Sequence, residues 1–351
     1  MKPKSMTPMQ RVLTTLSHNE PDRVPLFLLL TMHGAKELGM SIKEYFSKSE
    51  HVVEGQIRLQ KKYNNDLYNP FFYASAEIEA FGGETIFVDD GPPNSGQPFI
   101  QDIEKIAYLE PPKIEESTIL QKALLTIKKL NEKACGKIPV IGTAVSPFSL
   151  PVMQMGFGKY LEIMHFRKDL FDHLMKVNET FCVNWANAQL EAGATAISYF
   201  DPVSSSTIIT REQYLETGFP IARQTISRIK GPTATHFASG NCLPIADLLP
   251  QTGTAVVGVS SKEELAQLKT AFKNKLTLLG NLNGIEMRRW TTEQTQSIVR
   301  EAIETAAPGG GFILSDNHGE IPFQVPDEVL KTISETVHEY GRYPITNHHG
   351  I

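Results

Sequence analysis

Eight short apolar runs, most of them followed by a stretch of helical period, limit what this chain can fold into. Rich in β-branched or aromatic residues, they are 24–30 (VPLFLLL), 66–72 (DLYNPFF), 138–145 (IPVIGTAV), 195–201 (TAISYFD), 232–238 (PTATHFA), 255–260 (AVVGVS), 276–281 (LTLLGN) and 311–316 (GFILSD). Segments such as TREQYLETGFPIARQTISRIK and TTEQTQSIVREAIETAA lie between them, with apolar residues at i, i+3, i+4 and i+7. Near-continuous apolar strands separated by helices are what a parallel sheet covered on its faces requires. Eight such units in 351 residues predict an α/β fold of the (β/α)8 TIM-barrel type. No strand runs into GxGxxG or a Walker loop, which argues against an open nucleotide-binding sheet. Residues 83–100 (GETIFVDDGPPNSGQPFI) read as a hairpin inserted after the second strand, in a loop at the barrel top.

No Ser/Gly tract, charge block or low-complexity segment divides the chain, so residues 1–351 are expected to form one domain. A hydrophobic content of 41% suffices for a large core without disulfides. A net charge of -5 with no basic run gives no footprint for nucleic acid or an anionic membrane. Three cysteines, Cys135, Cys182 and Cys242, are scattered and odd in number, which fits a reducing, cytoplasmic setting. The N-terminus reads as an amphipathic helix rather than a signal peptide. No apolar stretch approaches the roughly 20 residues of a membrane span.

In a barrel of this type the site is built at the C-terminal ends of the strands. Reading each run to its end collects Thr31 and His33, Asn69, Ser146, Asp201 with Ser204 to Ser206, His236, Ser260 and Ser261, Asn281 and Asn283, and Asp316, His318 and Glu320. Asp201 before Pro202 fits either a strand-ending turn or a carboxylate facing the pocket. His236 fits either a satisfied core histidine or an acid/base or ligand. Cys242 fits apolar packing as well as ligation. Segment 69–79 supplies Asn69, the aromatics Phe71, Phe72 and Tyr73, and Glu77, whose burial in an apolar helix start requires a partner.

With these residues in hand, the chain resembles the uroporphyrinogen decarboxylase superfamily, and within it the corrinoid-dependent methyltransferases related to methylcobamide:coenzyme M methyltransferases. The likeness covers almost the whole chain. It rests on RVLTTLSHNEPDRVPLF, AEIEAFGGE, FDPVSSSTIITREQY, GNLN and GGGFIL. Two departures matter. LTMHGA and YNPFF stand where true uroporphyrinogen decarboxylases carry an arginine-rich segment and a pyrrole-facing aspartate, so porphyrinogen decarboxylation is not expected. Thiol-methylating members bind zinc through His-x-Cys and a later cysteine; here those places read His236-Phe237-Ala238 and His318. Losing both thiolates argues against a thiol substrate.

The resemblance therefore implies a substrate-side methyltransferase that moves a methyl group from a small methylated compound to the cobalt of a corrinoid (cobalamin) on a partner protein. The aromatic cluster and the missing thiolates make an aryl methyl ether the expected donor. His236 and His318 are expected to stabilise or protonate the leaving oxygen, with Asp201, Asp316 and Glu77 orienting them. Substrate binding falls to Asn69, Phe71, Phe72, His33, Tyr199, Ser146 and Asn281. If the polar set holds a metal, zinc on His236, His318, Glu320 and Cys242 is the arrangement expected. Alternatives are methyl transfer from methylcobalamin to an acceptor, decarboxylation of a non-porphyrin substrate, and a catalytically silent binding barrel.

Overall fold

The computed structural model describes residues 5–345, so both ends of the expected 1–351 domain lie outside the described residues. In chain order the strands are β1 (Leu26–Phe27), β2 (Thr85–Ile86), β3 (Asn94–Ser95), β4 (Ile141–Val145), β5 (Ala196–Phe200), β6 (Thr233–His236), β7 (Val256–Gly258), β8 (Thr277–Leu282) and β9 (Phe312–Asp316). Seven of them form one curled parallel sheet in the order β1-β9-β8-β7-β6-β5-β4, with helices in the connections. β2 and β3 pair antiparallel on their own within the 83–100 stretch.

The runs at 24–30 and 66–72 are shorter in the structure than the sequence suggests. Two polar side chains do the work of a ladder between them. Asn65 Oδ1 accepts from the Leu28 amide while its Nδ2 donates to the Leu28 carbonyl. Asp66 Oδ2 accepts from the Leu26 amide, and the Asp66 amide donates to the Leu26 carbonyl. On the other side Tyr68 makes a single parallel bridge to Val140, and Pro70, which has no N–H, follows. Asp66 is held in turn by Arg11 and Arg23, each at 2.7 Å.

Two large apolar clusters lie between the sheet and its helices. A smaller one fills the lower inside of the curl with Val12, Phe27, Leu67, Val256, Leu279 and Ile313. Val12 belongs to the helix Pro8–Leu16, which Thr7 and Gln10 start with a capping box and which closes the N-terminal end of the curl. Among the described residues no helix is long and apolar enough to cross a membrane.

Candidate functional site

Above that cluster the curl stays hollow. A cavity of ≈ 250 Å³ is lined at its inner end by Leu29, Ile141, Ala234 and Ile313, and towards the strand ends by Asn69, Phe71, Thr143, Ser198, Phe200, His236, His318 and Glu320. Pro92, Pro93 and Asn94 of the 83–100 stretch also line it.

The strand register decides who faces inwards. Side chains paired across a parallel ladder share a face, and Val145 pairs with Phe200, Phe200 with His236, and His236 with Gly258. Gly258 leaves room for the imidazole, since a Cβ there would lie 2.6 Å from His236 Cδ2. Phe200 stacks beside the ring at 5.8 Å between centroids.

His236 is buried, and its Nδ1 accepts a hydrogen bond from the Ala238 amide at 3.0 Å. Ala238 adopts a φ of 52, curling the backbone back onto the ring. Burial, with His318 nearby, pushes the His236 pKa down to about 4, so the ring is neutral near pH 7. A neutral imidazole that accepts at Nδ1 carries its proton on Nε2. That atom has no hydrogen-bond partner.

The loop after β9 supplies the opposite wall. Asp316 Oδ2 accepts from the amides of His318 at 2.7 Å and Gly319 at 2.9 Å, which fixes the turn. Gly319 has a φ of 87, and a Cβ there would stand 3.2 Å from Phe200 Cε2 and 3.3 Å from His236 Cε1. Burial, and then the nearby Lys262, lowers the His318 pKa, and His318 Nδ1 has no partner. Glu320 accepts from the Thr31 hydroxyl. Burial, reinforced by Asp316, raises its pKa to about 8.

Several expected site residues lie elsewhere. Tyr199 alternates with the inward-facing Ser198 and Phe200, so its fully buried side chain points into the helix-covered core. Phe72 packs in the core against Phe46 and Tyr73, leaving Phe71 to line the cavity. Asp201 is a buried anchor that accepts from the Ser146 and Ser149 hydroxyls; burial raises its pKa and those bonds oppose the rise. Glu77 accepts from the Val145 amide at 2.9 Å beside Trp185, outside the cavity, and burial raises its pKa to about 8. His33 is buried against the Phe323 ring, and Asn281 donates to the Ser260 carbonyl; neither lines the cavity. Ser260 itself donates to Ser239, and Asn283 caps the turn at Ile285 and Glu286.

The metal set is not assembled. Cys242 is packed in the core, its amide held by Glu263 and its thiol pKa driven up by burial and by that carboxylate. His236 offers an N–H rather than a lone pair to the cavity. Among the described residues no three His, Cys, Asp or Glu side chains come together as a metal site. These donors do not fit zinc.

Sequence reasoning passed over Phe200, Ser198 and Thr143. The period of two, counted from His236 across the register, would have found them.

A helix-covered, curled parallel sheet around a mainly apolar cavity, with polar side chains gathered towards its strand ends, defines the α/β class to which the chain conforms. The chain belongs to the uroporphyrinogen decarboxylase (URO-D) family, whose sequence profile it matches over residues 7–340. The uroporphyrinogen decarboxylase of Thioalkalivibrio sulfidiphilus is 24% identical over 279 residues, covering 75% of this chain and 76% of that protein. That of Herminiimonas arsenicoxydans is 23% identical over 308 residues, covering 84% and 83%. Among solved structures, a methyltransferase from Methanosarcina mazei superposes with a TM-score of 0.80 at 19% identity, covering 96% of this chain and 99% of that one. A B12-independent methionine synthase from Shewanella sp. W3-18-1 gives 0.57 at 13% identity, covering 92% and 95%. At these identities the likeness is one of fold.

Proposed function

We propose that the protein is a corrinoid-dependent methyltransferase that removes the methyl group of an aryl methyl ether. The observation that carries this reading is the unpartnered Nε2–H of His236, buried at a mainly apolar cavity that Phe71 and Phe200 also line. A buried donor without a partner costs about 1–3 kcal/mol, and a ligand oxygen that bonds to it recovers that cost. An ether oxygen gains negative charge as its methyl leaves, so the bond strengthens in the transition state.

A reduced corrinoid on a carrier protein, docked at the mouth, would supply the nucleophile that takes the methyl group. This chain's own residues do the rest. Phe71 and Phe200 bracket the aromatic ring, and His236 Nε2–H donates to the ether oxygen. Glu320, protonated near neutral pH and held by Thr31, gives its proton to the departing phenolate. Asp316 positions His318 and Glu320 through the loop amides, and His318 closes the wall against water. The curled sheet forms an eightfold barrel on this proposal, with residues 65–68 in the eighth place between β1 and β4.

Methyl transfer in the opposite direction would use the same groups. Decarboxylation of a porphyrinogen is disfavoured because, among the described residues, no arginine or lysine lines this cavity to hold several carboxylates. Incubation with a reduced corrinoid protein and a panel of methoxyaromatics tests the reading. Conversion of the cob(I)alamin spectrum to that of methylcobalamin supports it; carbon dioxide release that needs no corrinoid protein contradicts it.

A further inference from the structure

The cavity that holds His236 adjoins a second one of ≈ 330 Å³, and Ala74, Val145 and Phe200 line both. The second is walled mainly by apolar side chains such as Met153 and Phe157, and among the described residues the one charged side chain lining it is Lys262. Since the first cavity has no lysine or arginine, Lys262 is the single cation of the combined space among the described residues. It takes part in no ion pair there. Its charge nevertheless reaches the first cavity, where it disfavours protonation of His318. In the same cavity, Thr207 Oγ1 accepts from the Asn241 amide at 2.9 Å, which leaves the hydroxyl proton available to a ligand.

An uncharged methoxyarene would use the first cavity alone and leave this cation idle. We propose that the substrate is an aryl methyl ether carrying a carboxylate, and that Lys262, at the second cavity, binds that carboxylate while the ether oxygen lies at His236. This rests on the O-demethylation reading and adds the class of acid it acts on. Lys262 is exposed, so its contribution is that of a screened charge pair rather than a buried one.

Calorimetric titration of the full chain with 4-methoxybenzoate and with its neutral amide tests the proposal without turnover. Wild type is expected to prefer the acid by about two- to fivefold at low salt. K262Q should lose that preference while binding the amide unchanged. Equal binding of both probes by wild type, binding of neither, or an unaltered preference in K262Q overturns the proposal. So does a K262Q variant that weakens only the association with a corrinoid carrier protein, which would assign the lysine to the carrier's acidic surface. If Lys262-dependent acid binding stands but no methyl transfer occurs with any donor, the reaction assignment fails and the carboxylate site survives. Methyl transfer with no Lys262-dependent binding gives the reverse.

Discussion

The Ala238 amide donates to Nδ1 of His236 at 3.0 Å, and this bond sets the chemistry of the cavity by placing the ring's single proton on Nε2. It makes His236 a donor rather than a metal ligand or a base. His236→Ala should lower kcat for methyl transfer by about 10²- to 10³-fold, the range for removing one preorganised donor. Nitrogen-15 NMR should show the Nε2–H tautomer persisting from pH 8 to about pH 5, since the ring's pKa is about 4. A protonated ring or the Nδ1–H tautomer at pH 7 would contradict the assignment.

Glu320 must hold a proton to act as an acid. Its pKa of about 8 means the acid form is present below that pH and lost above it. The rate should therefore fall as pH rises through about 8, and that alkaline limb should vanish in Glu320→Gln together with most of the activity towards poor leaving groups. Asp316, His318 and His236 are the titratable neighbours; the two histidines are shifted towards neutrality and add no step near pH 8.

Gly319 lies between the two walls of the site. Gly319→Ala should cost about 1–2 kcal/mol for its left-handed backbone alone, and its Cβ would press on Phe200 and His236. Denaturant unfolding should show that loss together with a lower kcat. Unchanged kcat would mean that the loop does not fix the His236 ring.

Asp201 is expected to matter for folding rather than for chemistry. Removing its carboxylate in Asp201→Ala strands two buried serine hydroxyls, at a cost of about 3 kcal/mol in denaturant unfolding. The fraction that stays folded should turn over at close to the wild-type rate.

Glu77 gives a pH signature in stability. Its folded pKa of about 8 lies above the usual carboxylate value, so its contribution is full at low pH and is lost as pH rises from about 4.5 towards 8. The Tm difference between Glu77→Gln and wild type should shift in favour of the variant across that window. A constant difference from pH 5 to 9 would place Glu77 in contact with a charge-compensating group.

How far the site can be read from the sequence depends on which physical rule each residue obeys. His236, His318, Asn69 and Glu320 follow from one rule, that polar residues at parallel strand ends face the site, and all four line the cavity. Tyr199 breaks that rule because alternation along β5 turns it outwards; the register linking Phe200 to His236 is tertiary information. Asn65 and Asp66 replace a backbone ladder with side-chain bonds, so a run that looks like a strand at 66–72 is mostly a tether. Cys242 sits only six residues beyond His236, yet the turn at Ala238 sends the chain into the core. The His236 tautomer depends on one main-chain amide, to which residue identity gives no clue.

On this mechanism a methyl group leaves an aryl oxygen in the cavity beside His236. Supplying a trideuteromethoxy arene with a reduced corrinoid protein and following both products by mass spectrometry tests it most directly. Labelled methyl on the corrinoid and free phenol are expected in equal amounts, formed by wild type and slowed at least a hundredfold in His236→Ala. Unlabelled corrinoid beside intact ether, or phenol formed at the same rate by wild type and His236→Ala, would contradict it.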